Sequence, residues 1–205
     1  MAARTVQFLF DFGSPNAYLC HRVIPEIEQR AGIQFEYVPI LLGGLFKLSN
    51  NQSPAQAFAD IPNKRAYDQL EFDRFVRRHR IDGFQFNPHF PVNTLQVMRG
   101  ALVMQQTPEF QRYVEAVYTA MWEQQQNMAD PDVILEVLDK ADLDSERILS
   151  GTQDQDIKAA LLANTQSAFE RGAFGSPTFF VGDEMFFGKE RLGQVEEAAL
   201  GGLED

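Results

Sequence analysis

The chain has 205 residues, of which 44% are hydrophobic and 23% charged, and its formal net charge is −11. This acidic balance argues against binding to nucleic acid or to anionic membranes. The single cysteine, Cys20, excludes an intrachain disulfide and a cysteine-rich metal site.

The sequence also indicates the cellular compartment and the number of domains. No apolar stretch approaches the roughly 20 residues that span a bilayer. Arg4 is followed by a strand-like run and not by a signal peptide, so we expect a cytoplasmic protein. The length suits one large domain, or one domain with an insertion. The three histidines lack a metal-ligand spacing, and we expect no bound metal.

The first predicted elements are a strand and a helix joined by a short turn. Val6 to Phe10 is an apolar run typical of a buried strand. Ser14-Pro15 is a typical helix start, with a hydroxyl at the N-cap and proline at the first helical position. Apolar residues then recur at helical spacing until Gly32. Because the first N–H groups of a helix are unpaired, this start favours an anion near Ser14.

A second strand is predicted at Phe35 to Ile40, followed by a turn at Leu41 to Lys47. From there to Gly151 the pattern is helical, and we expect an inserted helical domain over residues 41–151. Three of its helices are predicted to begin at residue pairs that end in proline, namely Ser53-Pro54, Thr107-Pro108 and Asp130-Pro131. Candidates for the wall of a pocket come from the irregular segment 82–91, and they are Phe84, Phe86, His89 and Phe90.

The chain closes with a helix from Asp154 to Arg171, a hairpin that turns at Gly182-Asp183, and a helix from Lys189 to Leu200. The full order is β-α-β, a helical excursion, then α-β-β-α. This order resembles the thioredoxin superfamily, in the branch that contains the bacterial disulfide oxidases. The resemblance implies an α/β, thioredoxin-like fold with a large all-helical insertion. Its discontinuous thioredoxin-like domain would comprise residues 1–40 and 152–205.

This resemblance gives Ser14 a second interpretation. In the disulfide oxidases the first strand leads to Cys-Pro-x-Cys, and the matching tetrapeptide here is Ser14-Pro15-Asn16-Ala17. Because dithiol exchange needs two sulfurs, disulfide oxidoreductase activity is excluded. What remains is a site that stabilises a thiolate supplied by another molecule. By spacing alone, Ser14 is better explained as a plain N-cap like Ser53. Its place after the first strand of a thioredoxin-like order favours instead the site that stabilises a thiolate.

Two later segments also have an ordinary and a functional interpretation. Ser176-Pro177 precedes a strand, where proline can be a simple edge residue. The superfamily has a cis-proline at this place, and the residue before it pairs its backbone with a peptide ligand. Phe187 to Arg191 is either a helix entry with mixed surface charges or a second anion-binding helix start, where Glu190 takes an ammonium. A γ-glutamyl group carries both an anionic carboxylate and an ammonium.

Together the motifs resemble the 2-hydroxychromene-2-carboxylate isomerases and their relatives, the kappa-class glutathione transferases. The resemblance spans nearly the whole chain, and six segments carry it in order: Phe12-Gly13-Ser14-Pro15, Leu42-Gly43-Gly44-Leu45-Phe46-Lys47, Asn51-Gln52-Ser53-Pro54, Phe90-Pro91-Val92-Asn93-Thr94, Ser176-Pro177-Thr178-Phe179 and Phe187-Gly188-Lys189-Glu190-Arg191. Each segment alone is weak evidence, whereas six in register are specific to this family.

The resemblance implies a glutathione site with the sulfur near Ser14 and the γ-glutamyl end near Glu190. The implied glutathione-binding residues are Ser14, Asn51, Ser176, Pro177, Gly188, Lys189 and Glu190. The implied substrate-binding residues are Lys47, Asn51 and Asn93. The family more often has Asp where this chain has Glu190, and an aliphatic residue where it has Ser176.

The activity that the resemblance implies is glutathione-dependent interconversion of 2-hydroxychromene-2-carboxylate and trans-o-hydroxybenzylidenepyruvate, with Ser14 activating the thiolate. Such a reaction belongs to the breakdown of naphthalene or of other aromatic hydrocarbons. One alternative is a kappa-type transferase that releases a glutathione conjugate. Another is a catalytically silent module that binds glutathione or thiol peptides. The resemblance also implies a homodimer, and the expected partners are glutathione and a small aromatic carboxylate.

Overall fold

The structure, a computed structural model, describes residues 5–202 and is built on one four-stranded mixed sheet. Its strands are β1 (Thr5–Phe10), β2 (Gln34–Pro39), β3 (Thr178–Val181) and β4 (Glu184–Phe187). The spatial order is β2-β1-β3-β4. β1 runs parallel to β2 and antiparallel to β3, which forms the predicted hairpin with β4. This is the thioredoxin-like arrangement that the order of elements predicts.

Helices cover both faces of the sheet and form the segment between β2 and the last core helix. They are α1 (Pro15–Ala31), α2 (Leu42–Leu48), α3 (Pro54–Ala57), α4 (Pro62–His79), α5 (Leu95–Met104), α6 (Phe110–Trp122), α7 (Pro131–Lys140), α8 (Ser145–Gly151), α9 (Gln155–Glu170) and α10 (Leu192–Ala199), with a 3₁₀ turn at Lys189–Arg191. Over residues 5–202 no helix combines the length and the apolar character that crossing a membrane requires. The division into two domains stays a prediction.

Most predicted helix starts are confirmed, and two predictions are wrong. The side chains of Ser14, Ser53 and Asp130 each accept a hydrogen bond from a backbone N–H of the following turn. Thr107 does not cap α6, because its hydroxyl donates to the Met104 carbonyl (2.8 Å) and the helix begins only at Phe110. The segment predicted as a turn after β2 forms α2, which packs against α9.

The core is aromatic and continues from the sheet into the inserted helices. Phe8 and Phe10 lie on one face of β1, and Phe8 stacks on Phe179 of β3 with ring centroids 5.2 Å apart. Beyond the strand, the ring of Phe12 lies 4.8 Å from that of Tyr118 in α6. All these rings are fully buried. The residues just before the turn at Ser14 are therefore fixed by core packing.

Side chains cover the outer edge of β2, one of the two edge strands of the sheet. The backbone N–H of Phe35 donates to Glu28 Oε1 (2.8 Å). The carbonyl of Tyr37 accepts from Gln105 Nε2 (3.0 Å), and that of Pro39 accepts from Asn164 Nδ2 (3.1 Å). An unpaired edge strand exposes a row of backbone donors and acceptors. Here three of these outward groups are hydrogen-bonded to side chains of α1, of α9 and of the residue that follows α5.

Candidate ligand site at the start of the first helix

Ser14 lies where β1 gives way to α1, and its side chain joins two segments that are distant in sequence. Its backbone is extended (φ −94°, ψ 112°), and its Oγ accepts from the Ala17 N–H at 3.2 Å. The same hydroxyl donates to the Ser176 carbonyl at 2.8 Å. Ser14 is only 4% exposed, and it lies at the positive end of a 17-residue helix, which favours an anion.

Asp11, to which no sequence motif pointed, holds this turn in shape. Its carboxylate accepts three hydrogen bonds, from Gly13 N (2.8 Å), Leu42 N (2.7 Å) and Thr94 Oγ1 (2.7 Å). Its backbone carbonyl also accepts from Ser14 N (3.0 Å). Burial raises the pKa of the Asp11 carboxyl, and the three donors offset part of that rise. Asp11 therefore ties the opening turn to α2 and to the start of α5.

The Ser176–Pro177 peptide bond is cis, as the resemblance implies. Besides accepting from Ser14, Ser176 donates its own hydroxyl to the Leu9 carbonyl (3.4 Å). Its backbone N–H donates no hydrogen bond to any residue between 5 and 202. The Pro177 carbonyl accepts from Gly188 N (3.1 Å). One backbone donor next to the Ser14 hydroxyl is thus left for a ligand.

The 3₁₀ turn that follows Gly188 buries a lysine. Gly188 has φ 95°, which favours glycine, and Lys189 is only 6% exposed. The Lys189 ammonium pairs with the Glu190 carboxylate and lies 5.6 and 5.5 Å from the ring centroids of Phe72 and Phe75 in α4. Glu190 stays half-exposed. A buried ammonium and an accessible carboxylate therefore lie side by side in this turn.

Three further predicted residues surround the opening turn more loosely. Asn51 Nδ2 donates to the Phe174 carbonyl (2.9 Å), which fixes Asn51 beside the loop that leads to the cis-proline. Asn93 is exposed, and its Oδ1 accepts from Leu95 N (3.1 Å) at the start of α5. Lys47 is exposed on α2 and forms no hydrogen bond or ion pair within the described part of the chain. Neither Lys47 nor Asn93 is hydrogen-bonded to Ser14.

The aromatic segment 82–91 supports the turn from behind. Phe84, Phe86 and Phe90 all pack on Trp122, with ring centroids 6.0 to 6.1 Å from that of the indole. The Trp122 Nε1–H donates to the Phe12 carbonyl (2.8 Å), two residues before Ser14. That these rings form a pocket wall stays a prediction.

Hydrogen bonds and chain continuity link most of the predicted glutathione residues to one another. Ser14 donates to Ser176, the adjoining Pro177 accepts from Gly188, and the turn with the buried Lys189 and the half-exposed Glu190 follows directly. An exposed pair of rings borders this site, since Phe174 and Phe187 are 38% and 40% exposed with ring centroids 4.5 Å apart. No simple sequence pattern pointed to this pair, because it forms across the loop before the cis-proline and the end of β4.

Comparison with known proteins gives relatives that span nearly the full chain. The 2-hydroxychromene-2-carboxylate isomerase of Sphingobium xenophagum is 23% identical over 197 residues, which are 96% of this chain and 98% of that protein. Glutathione S-transferase kappa 1 of Homo sapiens is 26% identical over 207 residues, 92% of this chain and 88% of that protein. A solved structure of 2-hydroxychromene-2-carboxylate isomerase superposes with a TM-score of 0.81 at 26% identity, covering 95% of this chain and 93% of that one.

These relatives confirm the resemblance that the sequence motifs predicted, and the superposition confirms the thioredoxin-like fold. A family model described as the DSBA-like thioredoxin domain matches residues 5–199. That range includes the whole sheet, the inserted helices and the turn at Ser14, so the chain belongs to the family of DSBA-like thioredoxin domains.

Proposed function

We propose that this protein is a glutathione-dependent isomerase that interconverts 2-hydroxychromene-2-carboxylate and trans-o-hydroxybenzylidenepyruvate in the cytoplasm. The observation that carries the proposal is the Ser14 hydroxyl, which is buried at a helix N-terminus and hydrogen-bonded to the carbonyl before a cis-proline. This setting suits a sulfur anion, yet the tetrapeptide that begins at Ser14 contains no thiol. The named activities of its relatives support the same reaction class.

Glutathione fits the groups that the site leaves free. The Ser176 N–H is a donor for a peptide carbonyl, and the exposed Glu190 carboxylate can accept the ammonium of a γ-glutamyl end. The carboxylate of that end would lie against the backbone N–H groups of the turn that begins at Lys189. The residues that would hold the tripeptide are Ser14, Asn51, Ser176, Pro177, Gly188, Lys189 and Glu190. When bound, glutathione supplies a thiolate that adds reversibly to a conjugated carbon, so that the ring opens and a bond can rotate.

With glutathione bound, the Ser14 hydroxyl would turn from the Ser176 carbonyl to the sulfur and donate its hydrogen there, which would keep the sulfur ionised. A free thiol has a pKa of about 8.5, and a hydrogen bond to the charged form together with a helix N-terminus lowers it. Cys20 is unsuited to this role because its thiol is fully buried, and burial raises its pKa well above the ordinary value. Lys47 is a free cation for the substrate carboxylate, and Asn51 and Asn93 supply amide donors for developing oxyanion charge.

The exposed rings of Phe174 and Phe187 provide an apolar surface next to the cis-proline loop. An aromatic substrate held near Ser14 and Asn51 can cover part of this surface, because the Asn51 amide is bonded to the Phe174 carbonyl. Burying such rings is favourable, at about 25 cal/mol for each Å² of apolar surface removed from water. The surface therefore favours an aromatic second substrate over a small polar one.

The decisive experiment is a spectrophotometric assay of 2-hydroxychromene-2-carboxylate with and without glutathione. We expect turnover only with glutathione, and Ser14→Ala should lower it by about 10²-fold, the usual effect of losing one donor to developing charge. Ser53→Ala is the matched control, since Ser53 caps a helix before proline in the same way at another place. Unchanged turnover in Ser14→Ala would refute the role of the hydroxyl.

Mass analysis of the products separates the proposal from its alternatives. Isomerisation leaves the substrate mass unchanged, whereas a kappa-type transferase adds the mass of glutathione. Binding of glutathione without turnover of any conjugated ketone would indicate a silent binding module. That the active species is a homodimer stays a prediction.

A further inference from the structure

The peptide unit between Gly175 and Ser176, just before the cis-proline, is held by the side chain of Thr178. The Thr178 Oγ1–H donates to the Gly175 carbonyl at 2.8 Å, and Thr178 is fully buried. The bond between Gly175 and Ser176 is trans. A trans peptide unit is planar, and its N–H points away from its C=O. By fixing the carbonyl, the Thr178 hydroxyl therefore also fixes the direction of the Ser176 N–H.

That N–H points to the side of the chain on which Ser14 lies. A residue before proline is held in extended backbone, where its N–H and C=O point to the same side, as in residue pairs that exchange two hydrogen bonds across antiparallel strands. The Ser176 carbonyl accepts from Ser14 Oγ (2.8 Å), whereas the next carbonyl, that of Pro177, accepts from Gly188 N (3.1 Å) on the β4 side. The Ser176 N–H has no partner among residues 5–202. It is therefore an open donor on the side that carries the Ser14 hydroxyl.

Gly175 itself restrains this peptide unit little. A Cβ at this position would lie 2.7 Å from the ring of Phe187, so the packing of that ring requires glycine. Glycine has the widest choice of backbone dihedral angles, and a peptide unit beside it can rotate. Among residues 5–202, the Thr178 hydroxyl is the only donor to the Gly175 carbonyl. The direction of the Ser176 N–H therefore depends on this one hydrogen bond.

We propose that Thr178 is a positioning residue for glutathione, because its hydroxyl aims the Ser176 N–H at a peptide carbonyl of the tripeptide. The inference rests on the proposed function, in that glutathione must bind beside Ser14. Thr178 is buried and does not touch the ligand itself. Valine has the same shape and also suits a strand, but it lacks the donor that this role needs.

The test is the affinity for glutathione, measured by calorimetry on the full-length protein. Thr178→Val removes the donor and should bind glutathione about three- to tenfold more weakly, the usual range for one hydrogen bond. Thr178→Ser keeps the hydroxyl and should bind like the wild type. The contact with the peptide carbonyl is the same in the ground state and in the transition state. In the isomerase assay, Thr178→Val should therefore raise the KM for glutathione by a similar factor and change kcat less than about twofold.

Thr152→Val is the matched control. Thr152 is also fully buried, and its hydroxyl also donates to the carbonyl three residues earlier, that of Leu149 (2.7 Å). Because both valine variants lose the same kind of hydrogen bond, they should lose similar amounts of stability. Only Thr178→Val should bind glutathione more weakly.

Wild-type affinity in Thr178→Val would overturn the proposal, and so would an equal loss of affinity in Thr152→Val. Weakened binding in Thr178→Ser would also overturn it, and this result is informative even if Thr178→Val does not fold. In the wild type, bound glutathione should slow the exchange of the Ser176 amide proton with solvent, and an unchanged rate would contradict the proposal. If the wild type does not bind glutathione, the proposed function itself fails. If binding behaves as expected but nothing is isomerised, Thr178 keeps its role and only the isomerase assignment falls.

Discussion

Replacing Asp11 by alanine tests whether the buried carboxylate holds the opening turn. The substitution leaves the backbone N–H groups of Gly13 and Leu42 without their acceptor, while the hydroxyl of Thr94 can rotate to another partner. An unpaired buried donor costs about 1–3 kcal/mol, so two cost about 2–6 kcal/mol. Part of this cost is offset, because the substitution also removes a buried charge that is unfavourable in the folded state, as the raised pKa of Asp11 indicates. We expect Asp11→Ala to lower the free energy of unfolding by about 2–3 kcal/mol.

Urea denaturation of the two proteins measures this difference. Thr94→Val is the control, because it removes a single donor from the carboxylate and should cost about 1 kcal/mol. The double variant should cost less than the sum of the two, since both act on the same hydrogen bonds. A loss below about 0.5 kcal/mol for Asp11→Ala, the size of an ordinary surface substitution, would show that the carboxylate does not hold the turn.

The pH dependence gives a second measure of Asp11. Its folded-state pKa lies above the ordinary value of 3.8, so the folded protein binds this proton more tightly than the unfolded chain does. The resulting contribution to folding stability is present at lower pH and is lost as the pH rises through the raised pKa. Asp11→Asn does not titrate at this position. The stability of the wild type relative to Asp11→Asn should therefore fall as the pH is raised from 3.8. A constant difference over that range would mean that the pKa of Asp11 is not raised.

Two further predictions concern packing and the aromatic surface. A Cβ at Gly100 would lie 2.2 Å from Oη of the buried Tyr113. Gly100→Ala should therefore lower the unfolding free energy by about 1–2 kcal/mol in thermal or urea melts, although alanine has the better helix propensity. In α2, a Cβ at Gly43 meets nothing within 4 Å, so Gly43→Ala should raise the unfolding free energy by about 0.5–1 kcal/mol. Replacing Phe174 and Phe187 together by alanine should raise the KM for the aromatic substrate about tenfold while the Kd for glutathione changes less than about twofold.

Each of these two predictions has an outcome that contradicts it. Equal effects of the two glycine substitutions would show that the ring of Tyr113 moves aside without cost. For the aromatic surface, Leu162→Ala is the control, since Leu162 is an exposed apolar residue on α9 that belongs to neither the predicted pocket wall nor the predicted glutathione residues. An unchanged KM in the double phenylalanine variant would mean that the ring pair does not contact the substrate.

Local signals were sufficient to predict the sheet and most of its helices. β1, α1, the hairpin and the caps at Ser14, Ser53 and Asp130 depend on residues close in sequence, and the structure has them where the sequence places them. Helix α2 was missed because Leu-Gly-Gly-Leu-Phe-Lys-Leu contains two poor helix formers. It is supported instead by α9, whose Thr165 hydroxyl accepts from the Leu41 N–H (2.9 Å).

The missing parts of the site depend on contacts that no local pattern encodes. Asp11 beside Gly13 reads as an ordinary turn, and its other partners are 31 and 83 residues away, at Leu42 and Thr94. The burial of Lys189 likewise depends on phenylalanines of α4, more than a hundred residues earlier. Whether Lys47 and Asn93 reach a substrate stays a prediction, because the structure ties neither of them to Ser14.

The side chains along β2 also bear on how this sheet behaves in a crowded cell. A bare edge strand invites a neighbouring molecule to add a strand of its own, which is a common route to fibrous aggregates. Three outward backbone groups are already bonded to Glu28, Gln105 and Asn164, so at these positions an approaching chain would have to break existing bonds before forming new ones. The β2 edge is therefore a poor template for an added strand, whereas the backbone N–H of Ser176, beside the cis-proline, has no partner among residues 5–202.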